Sequence, residues 1–160
     1  SVRSDRFTET GGPAALTVAQ ATTAATYSTL GLRAQAPIPG IGHVNNLLML
    51  ISVFLFGVGG TKGTLYPVMR HPMLWGTVIW AVAHLLVNGD QASILMFGGI
   101  GAWALISMAL INRSGVWLRP ANGRGVKGDA MNLVGTLVLF GVIAMIHGWL
   151  GHPVFLGTYF

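Results

Sequence analysis

Four apolar stretches divide the chain. They run from about Ile41 to Gly60, Met73 to Val87, Gln91 to Ile111 and Ala130 to Leu150. As helices, the third and fourth are long enough to cross a hydrocarbon core of ~30 Å, which takes roughly 20 residues. The second is shorter, about 22 Å by helical rise. It spans only where its ends are held in protein or the bilayer thins locally. Pro72 suits the first turn of that helix, where its missing N–H would be unpaired anyway. Asn88-Gly89-Asp90 interrupts the apolar pattern with turn residues, and Asp90 is placed to cap the third helix. The pattern predicts an all-α fold, an integral membrane bundle of four antiparallel transmembrane helices without a sheet. Gly98, Gly99, Gly101 and Ala102 give the third helix a smooth face suited to close helix packing.

The flanks differ from this centre. Residues 1–40 form a polar extension, SVRSDRFTETGGP followed by an Ala/Thr-rich run. Pro13 to Leu30 reads as a surface helix weakened by its threonines, and Ala36 to Gly40 as an extended connector set by Pro37 and Pro39. A segment of this composition is expected to be ordered by contact with another chain. Residues 41–150 hold the bundle. Residues 151–160 form an apolar tail, with Val154-Phe155-Leu156 and a Tyr159-Phe160 end. The chain starts at Ser1 without a basic-then-apolar leader. A processed N-terminus, as in an organelle-imported protein, is one expectation; a cut in a longer chain would look the same.

Composition strengthens the membrane reading. Only 8% of residues are charged and 52% are hydrophobic, against about 25% charged in a soluble domain. The net charge of +5 does not point to nucleic acid, because the basic residues lie in short loops with no basic helix or aromatic platform. Absence of cysteine excludes disulfides, iron–sulfur clusters and thiolate ligands. The four acids, Asp5, Glu9, Asp90 and Asp129, all fall outside the apolar stretches, which argues against a paired-carboxylate site or an acidic proton relay. No strand precedes a glycine loop of the phosphate-binding kind. Loops 61–72 and 112–129 carry Lys62, Arg70, Arg113, Arg119, Arg124 and Lys127, whereas the other side has Arg3, Arg6 and Arg33. The positive-inside rule places those two loops on the cytoplasmic, matrix or stromal side, with both termini opposite.

That orientation sorts the histidines. His43 opens the first helix, His84 lies about one turn from the end of the second, and His147 about one turn inside the fourth. All three fall on the terminal side, and His71 on the other. Imidazoles from separate helices at similar depth suit axial ligation of a haem iron or of a chlorophyll magnesium. Gly76, Thr77, Trp80, His84 and Asn88 recur at three- and four-residue spacing on one side of the second helix. Gly76 leaves room there and Trp80 offers a flat ring. The plainer reading is that His84 bonds a neighbouring carbonyl and Trp80 simply packs. Arg70-His71 either binds a lipid phosphate or a cofactor propionate or is ordinary loop charge before a Pro-initiated helix. Asn45 and Asn46 are expected to bond between helices, and His152 to be a loop residue.

The stretch RHPML-G---WA-AHLL-NGD-AS-L-FGG, from Arg70 to Gly101, resembles the motif of the NnrU family of bacterial membrane proteins, which is linked to denitrification. The likeness reaches back to Gly42-His43-Val44 and Leu47-Leu48-Met49-Leu50, and fades after about Leu110. The family is related to the plastid zeta-carotene isomerase, a haem-dependent membrane enzyme. Where the family usually carries further hydrophobic helices ahead of His43, this chain has its polar segment. The resemblance implies a porphyrin site with His84 as first ligand and His43 as second. His147, Trp80, His71 and Arg70 are then candidates around it, and haem b, chlorophyll or a carotenoid is the cofactor. Three functions follow as expectations. The first is a non-catalytic accessory subunit of a photosynthetic or respiratory membrane complex, contacting lipid and other subunits. The second is a haem-dependent isomerase acting on a polyene, and the third a denitrification-associated membrane factor. The host membrane would be a thylakoid, an organelle inner membrane or a bacterial inner membrane.

Overall fold

The computed structural model describes residues 40–155. The surface helix expected at Pro13–Leu30, the connector before Gly40, the partner-held extension and the Tyr159-Phe160 end lie outside the described residues. Four α-helices and no strand occur among the described residues: α1, Ile41–Thr61; α2, Pro72–Val87; α3, Gln91–Ser114; and α4, Val126–Trp149. Three of them, α1, α3 and α4, are long and apolar enough to cross a membrane, and α2 is a shorter apolar helix. At 16 residues, α2 rises about 24 Å.

The ends follow local chemistry. Pro72 occupies the first turn of α2. The Asp90 side chain accepts the Ser93 backbone N–H at 2.9 Å, so the Asn88–Asp90 turn caps α3 as its sequence suggests. α4 begins four residues before its apolar run, at Val126. Its first turn is polar and carries Asp129, a charge that suits a helix N-terminus outside the hydrocarbon. There Asp129 accepts the Thr64 N–H at 2.9 Å, and the Arg124 N–H bonds the Lys62 carbonyl. The 62–71 and 115–125 loops therefore meet at one end of the bundle.

Packing is in a row. α2 packs on α1 and α3, and α1 also packs on α4, giving the spatial order α3–α2–α1–α4. Close approach is built into both contacts of α1. Toward α2, a Cβ on Gly76 would meet the Ser52 carbonyl oxygen at 3.1 Å and Leu55 Cβ at 3.3 Å. The buried Ser52 hydroxyl donates to the Gly76 carbonyl at 2.8 Å. Toward α4, Asn132 donates to the Phe54 carbonyl at 2.9 Å, and its side chain fills the space a Cβ on Gly57 would need. The outer helices bury one narrow stripe each: Phe97, Ala104 and Met108 on α3, and Gly128, Asn132, Thr136 and Ala144 on α4. Their other faces expose Leu105, Ile106, Leu110, Val134, Val138 and Met145, as lipid-facing helix surfaces do. The expected smooth face of α3 is used in part. Gly101 meets Ala81 of α2, whereas Gly98 and Gly99 have open space before them.

Candidate functional site

At the end of the bundle away from the charged loops, α1, α2, α4 and the chain after α4 enclose a cavity of about 210 Å³. Its polar lining is His84 from α2, Asn88 just after α2, His147 from α4, Asn45 and Asn46 from α1, and His152 from the tail. Met49, Val87, Phe140, Ile143, Ala144 and Val154 complete it. Two of the histidines expected on this side are thus brought together, from helices that do not pack directly on each other.

Both rings are held alike. His84 Nδ1 lies 2.9 Å from the Trp80 carbonyl oxygen, and His147 Nδ1 lies 2.9 Å from the Ile143 carbonyl oxygen. A carbonyl only accepts, so Nδ1 carries the proton in each ring, and the neutral tautomer leaves Nε2 with a lone pair. Backbone bonding of one ring nitrogen is the usual way to fix an imidazole whose other nitrogen binds a metal. The same bond also satisfies a half-buried histidine with no ligand at all. His84 is further set by rings. Phe97 of α3 stacks on it with centroids 4.5 Å apart and planes at 26°, and Trp80 lies tilted at 4.6 Å. Trp80 and Phe97 meet edge to face at 5.0 Å.

The remaining candidates fall elsewhere. His43 is exposed and does not line the cavity, although it opens α1 at the same end. The buried residues of the first turns of α1 are Gly42, Asn45 and Met49, and His43 lies about 200° around the helix from Asn45. Trp80 supports His84 from behind rather than lining the cavity. Arg70 and His71 are at the far end of α2, each with protein partners. The Arg70 guanidinium donates to the Ile111 and Gly115 carbonyls, both at 3.0 Å. His71 Nε2 is 2.9 Å from Asn112 Oδ1. Together they fasten the start of α2 to the last turn of α3, where a cation suits the carbonyl end of the helix. Among the described residues, no cluster of three or more His, Cys, Asp or Glu side chains is arranged to hold a free metal ion.

Two site residues were missed from sequence. Phe97 sits in an apolar run where nothing separates it from its neighbours, and only the spatial pairing of α2 with α3 singles it out. His152 looked like a loop residue, yet it lines the cavity. The chain turns at Gly151, with φ +90°, and the His152 N–H bonds the His147 carbonyl at 2.8 Å. Asn46 donates to the Val154 carbonyl at 2.7 Å, and Phe155 meets Phe140 edge to face at 6.3 Å. Asn46 thus ties the first turns of α1 to the tail.

The family model described as NnrU protein matches residues 14–154. The match is wider than the Gly42–Gly101 motif. It takes in most of the polar segment ahead of His43 and all of α4, so His147 and His152 lie within it. No curated protein and no solved structure matches the chain.

Proposed function

The chain belongs to the NnrU family of membrane proteins, and from that premise we propose that it is a non-catalytic accessory subunit that holds a tetrapyrrole in a larger membrane assembly. The observation that carries this reading is the pair His84 and His147. They come from separate helices, face one cavity, and each has Nδ1 tied to its own helix, leaving Nε2 as a lone-pair donor. The donor chemistry fits a haem iron or a chlorophyll magnesium, both of which take neutral imidazole. The cavity volume of 210 Å³ lies below the roughly 300–1,000 Å³ of sites that enclose a ligand, so a macrocycle would be enclosed only in part. A bound metal tetrapyrrole supplies electron transfer or light absorption. The chain's part is to supply and orient the imidazoles, with Phe97 and Trp80 fixing the plane of His84. Among the described residues no carboxylate lines the cavity, so that lining offers no acid–base pair for hydrolytic or proton-abstraction chemistry. The wide apolar faces of α3 and α4 give room for lipid or neighbouring subunits. The basic loops favour an orientation with residues 62–71 and 115–125 on the cytoplasmic, matrix or stromal side.

A second reading has its own support. The Trp80 carbonyl bond and the Trp80–His84–Phe97 ring contacts account for His84 as a packing motif that joins α2 to α3. Absorption spectra of the protein purified in mild detergent separate the two. Under the tetrapyrrole reading a porphyrin band accompanies the protein, and His84→Leu removes or shifts it while the helices stay folded. An unchanged spectrum in His84→Leu refutes ligation by that residue. A protein with no pigment from its native membrane, and none taken up on titration, leaves the packing reading.

A further inference from the structure

Among the described residues, the polar end of the cavity is short of cations. Every Lys and Arg among the described residues, from Lys62 to Lys127, belongs to the two loops at the far end or to the helix turns that adjoin them. None lines the cavity. A tetrapyrrole of the haem type carries two carboxylate side chains, and a carboxylate leaving water needs hydrogen-bond donors in place of its hydration. The lining amides are partly engaged. Asn46 Nδ2 donates to the Val154 carbonyl, and Asn88 Nδ2 donates to the His84 carbonyl at 3.0 Å. The His84 and His147 N–H groups are committed to their helix carbonyls.

His152 differs from all of these. It lines the cavity and is exposed to water, and its ring has no hydrogen-bond partner among the described residues. It is also held in place. Its own N–H is bonded to the His147 carbonyl before it, and Val154 is pinned to Asn46 after it. Resting on the tetrapyrrole reading above, we infer that His152 recognises a carboxylate of the bound macrocycle. Its ring N–H donates to that oxygen at the cavity mouth, so the site prefers a free-acid macrocycle over an esterified one. The strap from Gly151 to Phe155 is then part of the site, and its job is to carry this donor.

The test uses the full chain in detergent micelles, titrated with iron protoporphyrin IX and, separately, with its dimethyl ester, which keeps the metal and removes the carboxylates. The Soret band reports binding. The expected result is that the wild type binds the diacid more tightly than the diester. His152→Ala should weaken the diacid by about two- to fivefold, the range of an exposed charge-assisted contact, and leave the diester unchanged. His152→Gln, which keeps an N–H donor, should recover part of the difference. Equal weakening of both compounds in His152→Ala means that the strap only packs, and overturns the inference. So does a preference for the diacid that survives His152→Ala, or a wild type that prefers the diester. His84→Leu separates this failure from failure of the tetrapyrrole reading. If His84→Leu loses both compounds while His152→Ala behaves as wild type, the inference alone falls. If His84→Leu binds both as wild type does, or the wild type binds neither, the tetrapyrrole reading falls and the inference with it.

Discussion

Replacement of Gly76 tests whether the α1–α2 contact is as close as its geometry requires. An alanine Cβ there would stand 3.1 Å from the Ser52 carbonyl oxygen and 3.3 Å from both Leu55 Cβ and Phe56 Cδ1. The Phe56 ring can swing, but a helix carbonyl cannot withdraw without moving the backbone. Overpacking of this kind costs about 1–3 kcal/mol. Alanine also recovers roughly 1 kcal/mol over glycine in a helix interior, so Gly76→Ala should be destabilising by no more than about 2 kcal/mol. Gly76→Leu adds three further carbons with no space to receive them, and should part the helices. Ser52→Ala isolates the buried hydroxyl bond to Gly76. Hydrogen bonds between membrane helices average about 0.6 kcal/mol, with a maximum near 1.7. The expected order of destabilisation is therefore Gly76→Leu well above Gly76→Ala and Ser52→Ala. Reversible unfolding in mixed micelles, followed by tryptophan fluorescence, gives the midpoints. A Gly76→Leu protein that unfolds with the wild-type midpoint would refute the close approach of α1 and α2.

Two further outcomes are expected. Asn132→Ala removes the bond to the Phe54 carbonyl between α4 and α1 and should cost about 0.6–1.7 kcal/mol in the same assay; Gly57→Ala should cost more, because its Cβ displaces the Asn132 side chain. The Asp90 carboxyl is held below its usual range, chiefly by the Ser93 side-chain and backbone hydrogen bonds. A depressed carboxylate stabilises the folded state above its unfolded value near 4, and that contribution is lost as pH falls through the lower folded value. Wild type should therefore lose α3 capping below about pH 4, whereas Asp90→Ala should show a flatter acid limb, read by helix circular dichroism.

The helices were legible because lipid makes their pattern simple. A long apolar run has little choice of structure in a bilayer, so the third and fourth stretches were readable as spans from length alone, and Pro72 and Asp90 marked ends that the structure keeps. The start of α4 was not, because Lys127, Gly128 and Asp129 look like loop while serving as its polar first turn. The depth of His84 and His147 followed from helix direction, which counting supplies. Rotation about the helix axis did not. His43 sits at the right end but faces outward, and nothing in an apolar helix with so little amphipathic contrast reveals which side meets protein. The tail was hidden for another reason. Its placement depends on a left-handed Gly151 and on an Asn46 side chain more than a hundred residues away, neither of which local pattern reveals.

The row of helices carries a consequence for how the chain is assembled. α1, α2 and α3 can settle in the order of synthesis, each beside the one before, joined by residues 62–71 and 88–90. α4 cannot, since its place is on the far side of α1. From α3 it must cross about three helix spacings of 8–10 Å, roughly 24–30 Å. The connection between Ser114 and Val126 is eleven residues, 115–125, which reach about 36–40 Å when extended. A turn as tight as Asn88–Asp90 would leave α4 beside α3 and the outer face of α1 bare. The cavity would then lose His147 and the tail together. The length of one loop thus decides whether α4, made after the other three, arrives where it closes the cavity.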